Sequence, residues 1–300
     1  MLRCLSHGGA LNGGMIQQIR PRRSMLYIPG DKARALEKAR TLPVDGIIMD
    51  LEDAVAPESK DAARETIAAA MRMGGYGERE LILRVSTIDC AEDFALADAL
   101  EFHGVLLPKV ESPDQVRDAA KRTRHPIWCM IETPLGVLRA GDIAAASPRL
   151  AGFVAGTNDL SKDLKARQVP GRAPLLPALG MMLIAARAYG LAAIDGVHID
   201  LNDLEGLADV CQQGAEMGFD GKSLVHPNSI EVANYAFGPR PEEVERARRM
   251  VAAWADARGQ GLGVARIDGA MVEQLHVDEA NRLLALADAI ARMERDSPAP

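Results

Sequence analysis

The chain has 300 residues, 48% of them hydrophobic and 26% charged, which describes an ordinary globular chain long enough for one large α/β domain or two small ones. A formal net charge of −7 argues against general nucleic-acid binding while leaving room for a local basic patch that takes one anionic ligand, and aromatic residues at only 4% disfavour an all-β architecture. The four cysteines, Cys4, Cys90, Cys129 and Cys211, show no CxxC spacing, so neither a zinc site nor a disulfide framework is indicated and a reducing cytoplasm is expected. Residues 1–22 are Gly-rich and basic, with no acidic residue before Asp31, and read as a flexible leader, a transit peptide being the alternative. No apolar run approaches the roughly 18 to 20 residues needed to span a bilayer, so no membrane partner is expected.

After the leader, Ser24 to Ile28 is a β-rich apolar run that stops at Pro29-Gly30, and Lys32 to Ala39 has helical composition. Gly46 to Met49 is a second strand, ending in Asp50-Leu51-Glu52-Asp53, and Ser59 to Met73 is an alanine-rich helix closed by Gly74-Gly75. Further strands are predicted at Leu81 to Val85, Gly104 to Leu107, Ile127 to Ile131 and Gly152 to Ala155. A helix from about Leu175 to Tyr189 precedes a seventh strand at Ala192 to Asp195. The helix from Asp203 to Met217, capped by Gly218, precedes an eighth at Gly221 to Val225. The eight strand ends recur with a mean step of about 28 residues, the length of one βα unit with its loops, which is the pattern of a (β/α)₈ TIM barrel over residues 23–238. A doubly wound open sheet is the alternative, but it gives no reason for nearly every strand to end in a polar residue. Residues 239–300 exceed what a closed barrel needs. They contain an amphipathic, highly charged helix from Pro241 to Ala257, a short strand at Val264 to Ile267 with a turn at Asp268-Gly269, and a final helix from His276 to Met293. Such an extension is expected to be a lid or an oligomer contact.

Barrel enzymes carry their chemistry at the C-terminal ends of strands. The fifth and sixth strands deliver Glu132 and, just beyond, Asp159, and two carboxylates with little to neutralise them suit a hard cation such as Mg²⁺. Alone, either residue also reads as a helix cap or a turn residue. Arg84 ends the third strand, where a planar guanidinium suits a substrate carboxylate or a developing enolate oxygen. Asp50, Glu52 and Lys109 are expected to orient Arg84 and the metal ligands. A purely structural ring of salt bridges is the competing reading of these tips. Tyr27, Lys32, Arg34 and Lys38 surround the first βα loop, an aromatic ring and three cations that could hold a nucleotide-bearing anion such as coenzyme A, or else only solvate a helix face.

At these residues the chain resembles the citrate lyase beta-subunit-like family, which includes malyl-CoA and citramalyl-CoA lyases. The resemblance runs from about Arg22 to Arg292 through RSMLYIPGDK, DLEDAVAP, the LRV strand, LPKVES, IETPLGV, GTNDLSKDL, AIDGVHID, MGFDGKSLVHP and GAMVEQLHV. It implies a TIM barrel that uses Mg²⁺ to break a carbon–carbon bond in a 3-hydroxyacyl-CoA, citramalyl-CoA or malyl-CoA, giving acetyl-CoA and a 2-oxo acid. By position, Glu132 and Asp159 match the metal ligands, Arg84 the substrate arginine, Tyr27, Arg34 and Lys38 the CoA contacts, and Ile194-Asp195 the acyl contacts. Glu273 matches a C-terminal acid that reaches into a neighbouring subunit and handles the proton at the enolate carbon, which implies a homotrimer or hexamer. The chain departs from the pattern in having Glu273 where several lyases have Asp, and RVST where many relatives have RVN. Three alternatives accompany the lyase reading: the citryl-thioester-cleaving beta subunit of a citrate lyase complex with other subunits as partners, a malyl-CoA thioesterase, and a non-catalytic barrel scaffold.

Overall fold

Eight short runs of β-branched and other apolar residues pair in chain order and in parallel, and the last returns to the first. In the computed structural model, which describes residues 19–267 and 269–296, these are β1 (Ser24–Pro29), β2 (Gly46–Asp50), β3 (Glu80–Arg84), β4 (Gly104–Leu107), β5 (Ile127–Ile131), β6 (Leu150–Ala155), β7 (Ala192–Asp195) and β8 (Gly221–Leu224). Pairing of Met25 with Ser223 closes the barrel, so no strand edge is left open. Helices between the strands cover its outside, as a (β/α)₈ barrel requires. The helix Leu204–Met217 shows how the local chemistry sets its ends. The Asp203 side chain accepts a hydrogen bond from the Gly206 N–H at 2.8 Å, and Gly218 stops the helix in the left-handed conformation at φ 101°.

Alternation along the strands sorts side chains into two cores. Met25, Ile48, Ile82, Leu106, Trp128, Met130, Val154 and Ile194 fill the barrel interior, while Leu26, Ile28, Ile47, Met49, Leu83, Val105 and Phe153 pack outward in the layer shared with the helices. The interior is plugged by Trp128, for which Gly152 leaves the space: a Cβ there would lie 2.4 Å from the indole Cζ3. Two residues further along the same inward rows come Asp50, Arg84 and Glu132, so three polar tips share one barrel mouth. By the same rule Asp195, next to inward Ile194, points out of the barrel.

There Asp195 becomes the hub of a buried ion network. Its carboxylate meets Arg172 Nη1 at 2.8 Å and Lys222 Nζ at 2.9 Å, and both Asp195 and Lys222 are fully buried. Burial works against the charge of Asp195, but Lys222 and Arg172 hold its carboxyl below the usual carboxylate range. Gly214 gives the carboxylate room, since a Cβ there would sit 2.9 Å from Asp195 Oδ2.

Residues 1–18 of the expected 1–22 leader lie outside the described residues. Arg22, at its end, does not project freely: it pairs with Glu80 at 2.5 Å and stacks its guanidinium 5.0 Å from the Trp128 ring centroid. After β8, the helix Ile230–Phe237 packs on β1 and on Leu204–Met217. The extension then forms the helix Pro241–Gly259, a hairpin of β9 (Ala265–Ile267) and β10 (Ala270–Val272), and the helix Gln274–Asp296, with a small core of Ala257, Ala265, Val272 and Val277. The short strand expected before Asp268-Gly269 therefore has an antiparallel partner beyond the turn, although Asp268 itself lies outside the described residues. Among the described residues no helix is long and apolar enough to cross a membrane.

Because Lys222 is buried against Asp195, Lys222→Met leaves a buried carboxylate short of one partner and should lower unfolding stability by about 3–5 kcal/mol in urea titrations. Lys121→Met, which removes a surface pair with Asp118, should barely move the midpoint; equal midpoints for the two variants would contradict the network's role.

Candidate active site

A cavity of about 500 Å³ opens at the C-terminal mouth of the barrel, lined by Tyr27, Asp50, Arg84, Met130, Glu132 and Asp159 among others. Arg84 is held from two sides. Its Nε and Nη2 donate to the two oxygens of Asp50 at 2.7 and 2.6 Å, a bidentate fork that fixes the plane of the guanidinium. Nη1 lies 2.7 Å from Glu52 Oε2, in an ion pair too misaligned to count as a hydrogen bond, which leaves that buried oxygen without a donor. Burial opposes the Arg84 charge, yet the Asp50 hydrogen bonds and the neighbouring acids raise its pKa above the ordinary arginine value. The ring of Tyr27 lies under the guanidinium, 4.8 Å from centroid to Cζ.

Lys109 joins this half of the site to the other. Its Nζ pairs with Glu52 at 3.1 Å, and its backbone N–H donates to Glu132 Oε1 at 2.7 Å. The residue adopts φ 49°, a left-handed conformation that a side chain other than glycine enters at a cost, and the turn it makes aims the N–H at Glu132.

Glu132 is only 3% exposed, and Gly156 is what lets it sit there: a Cβ on Gly156 would fall 2.6 Å from Glu132 Oε2 and closer still to its Cβ. Desolvation, with the charges of Glu52 and Asp159 adding to it, pushes the Glu132 carboxyl up to about 7 despite the Lys109 N–H and Arg84. Neither Glu132 Oε2 nor the half-buried Asp159 carboxylate has a hydrogen-bond or ion-pair partner among the described residues. Five acids, Asp50, Glu52, Asp53, Glu132 and Asp159, thus face two cations, Arg84 and Lys109, and the part of the excess negative charge that no side chain pairs lies at Glu132 and Asp159. A divalent cation balances that unpaired part. Two carboxylates open to a wet cavity fit Mg²⁺, which keeps several water or substrate oxygens, better than an ion that needs an all-protein cage. Among the described residues no group of three or more His, Cys, Asp or Glu side chains is arranged to hold a metal.

The remaining expected site residues do not all gather here. Arg34 and Lys38 are exposed on the helix Ala33–Lys38, without ion-pair partners among the described residues, whereas Tyr27 leaves them for the cavity wall. Ile194 is buried in the barrel plug and the Asp195 carboxylate is spent outside it on Arg172 and Lys222, so the expected acyl contacts at Ile194-Asp195 are not made by these side chains. Glu273 is exposed between β10 and the last helix, where its backbone N–H donates to His276 Nδ1 at 3.1 Å, and it does not line its own chain's cavity. Gly156, Thr157, Val197, Ser223 and Val225 line the cavity without having been singled out. Gly156, Ser223 and Val225 could have been found by extending the inward rows or reading the residue after a strand tip, whereas Thr157 and Val197 follow from neither.

Comparison with known proteins agrees with this geometry. Residues 23–227 match the model of the HpcH/HpaI aldolase/citrate lyase family. A (3S)-malyl-CoA thioesterase of Cereibacter sphaeroides (strain KD131 / KCTC 12085) is 48% identical over 284 residues, 92% of this chain and 98% of the relative. The citrate lyase subunit beta of Escherichia coli (strain K12) is 35% identical over 287 residues, 91% of this chain and 95% of the relative. Among solved structures, protein CitE from Mycobacterium tuberculosis in complex with magnesium, acetoacetate and coenzyme A superposes with a TM-score of 0.71 at 32% identity, covering 88% of this chain and 97% of that one.

A carboxyl with a folded pKa of about 7 instead of 4.5 binds a proton more readily in the native state, and that proton competes with a cation. Calorimetric Mg²⁺ affinity should therefore fall about tenfold per pH unit below pH 7 and be level above it. The metal-free fold should show the reverse, with the Glu132 contribution present below pH 4.5 and lost as pH rises through about 7. A pH-independent affinity between pH 5 and 8 would contradict the role given to Glu132.

Proposed function

The chain belongs to the HpcH/HpaI aldolase/citrate lyase family, and from that premise we propose that it is an Mg²⁺-dependent enzyme of malyl-type 3-hydroxyacyl-CoA thioesters, with thioester hydrolysis as its net reaction. The observation that carries the substrate class is the juxtaposition, in one cavity, of the unpaired Glu132 and Asp159 carboxylates with an Arg84 fixed by Asp50. One end suits a bound cation and the carboxylate and hydroxyl of a hydroxy acid, and the other suits an acyl oxygen that becomes negative. The malyl-CoA thioesterase relative at 48% identity favours C–S cleavage. A second reading, carbon–carbon cleavage to acetyl-CoA and a 2-oxo acid, is favoured by the beta subunits of citrate lyase at 35% identity and by the placement of the cation site at the hydroxy-acid end.

When bound, Mg²⁺ would supply Lewis-acid polarisation to the acyl group's hydroxyl and carboxylate oxygens. Glu132 and Asp159 would hold it, with Gly156 and the Lys109 N–H setting the position of Glu132. Arg84 would orient the thioester and stabilise negative charge on its oxygen, its plane already set by Asp50 so that little is spent on ordering it. Arg34 and Lys38, exposed and unpaired near the mouth, are assigned to the phosphates of CoA. Glu273, remote from its own cavity, is assigned to a neighbouring subunit's site in a homo-oligomer, which makes residues 239–300 a lid as well as a contact. Free thiols at Cys90, Cys129 and Cys211 suit the cytoplasm.

Incubation of the purified chain with malyl-CoA and Mg²⁺ should release free CoA thiol and malate, and Arg84→Ala should lower the rate at least 10²-fold. Mixed oligomers of Arg84→Ala and Glu273→Ala chains should recover part of the activity that each lacks alone. Glyoxylate and acetyl-CoA in place of malate would select the second reading. No turnover of malyl-CoA would exclude both, and no recovery on mixing would remove Glu273 from the neighbouring site.

A further inference from the structure

Two hydrogen-bond donors in the cavity converge on an acceptor too weak to satisfy either. Arg84 Nη1, which also lies 2.7 Å from Glu52 Oε2 in the misaligned ion pair, donates toward Met130 Sδ at 3.5 Å, and the Tyr27 hydroxyl donates toward the same sulfur at 3.6 Å. A thioether is a poor acceptor, whereas Arg N–H and phenolic O–H are strong donors. Both side chains and Met130 itself line the open cavity, so the two donors and their weak acceptor meet at its wall. Their mutual placement is fixed from two sides: the guanidinium is forked onto Asp50 of β2, the strand between β1 and β3, and lies over the Tyr27 ring.

We propose that Tyr27, together with Arg84 Nη1, forms a two-donor oxyanion site for the thioester oxygen of the acyl-CoA substrate, with Met130 occupying the place of that oxygen in the free enzyme. This inference rests on the acyl-CoA reading above. It moves Tyr27 from the CoA-binding role that its place beside Arg34 and Lys38 suggests to contact with the reacting group. The site serves either bond-breaking step, because both put negative charge on the same atom. In hydrolysis, a water oxygen bonds to the thioester carbon as the water loses a proton, the C=O electron pair moves onto oxygen, and its return expels the CoA thiolate, which takes up a proton. In carbon–carbon cleavage, the hydroxyl loses its proton and becomes a carbonyl, and the electrons of the broken C–C bond form an enolate whose charge lies on the thioester oxygen until its carbon is protonated. Tyr27 suits such a donor: burial raises its phenol pKa, which favours the protonated form that can offer a hydrogen bond.

Tyr27→Phe deletes one oxygen atom from the wall and leaves the ring under Arg84. The expected result is a fall in kcat for malyl-CoA on the order of 10²-fold, with KM and the calorimetric Mg²⁺ affinity within about threefold of wild type and an unchanged melting temperature. A merely structural tyrosine would move stability or KM instead. An unchanged kcat in an otherwise active wild-type background would overturn the oxyanion role alone. A loss of kcat matched by an equal loss of Mg²⁺ affinity would overturn it too, since the hydroxyl would then act on the metal half. A wild-type enzyme inert toward malyl-CoA would overturn both this inference and the substrate reading beneath it.

Discussion

An uncompensated pair of negative charges at the mouth of an apolar barrel is the constraint on which the site depends. Asp50 and Glu52 are answered by Arg84 and Lys109, whereas Glu132 and Asp159 are answered by no side chain. Burying a carboxylate beside other acids is unfavourable, and the Glu132 pKa, raised first by desolvation and further by Glu52 and Asp159, reflects that cost. A purely structural ring of salt bridges would pair its charges; this one leaves Glu132 and Asp159 without a side-chain partner among the described residues. The strained backbone of Lys109 and the missing side chain of Gly156 both serve to keep Glu132 where the imbalance is greatest. Such local costs persist when something outside the chain, here a divalent cation and a substrate, offsets them.

Strand parity decides which residues take part. The inward rows that plug the barrel with Ile48, Ile82 and Trp128 reach the rim as Asp50, Arg84 and Glu132, so the register that builds the core also assembles the site. This is why so much was legible without coordinates: eight short runs with polar ends give both the barrel and its tips, and all eight strands lie within two residues of where their composition puts them. Asp195 shows the limit of that reasoning. It ends β7 as Arg84 ends β3, but it falls on the opposite parity and spends its charge in the strand–helix layer. Runs of only four residues, apolar on both faces, carry no alternation from which to read the difference. Gly156 and Met130 escaped for another reason. Their importance lies in space left empty and in a weak contact, and neither follows from residue type at a given spacing.

The same cavity accounts for why related chains can differ in the bond they break. An acyl oxygen gains charge in both hydrolysis and carbon–carbon cleavage, and under the proposed function Arg84 with its neighbours would answer that charge in either case. What differs is the proton inventory: which group removes or supplies a proton, and whether water reaches the thioester carbon. Among the described residues every acid at the cavity wall is paired with Arg84 or Lys109 or belongs to the proposed cation site, and the exposed Glu273 of the C-terminal extension lies outside that wall. The extension has its own small core, and ion pairs of Glu294 with Arg23 and of Arg282 with Asp220 join its last helix to the barrel.

The charge imbalance is tested most directly by melting temperature at pH 8, where Glu132 is ionised, with and without Mg²⁺. Replacing Glu132 by Gln and Asp159 by Asn together removes the unpaired charge at nearly constant volume. The metal-free double variant should melt above the metal-free wild type, and Mg²⁺ should raise the melting temperature of the wild type alone. A double variant that melts below the wild type and still responds to Mg²⁺ would contradict the account.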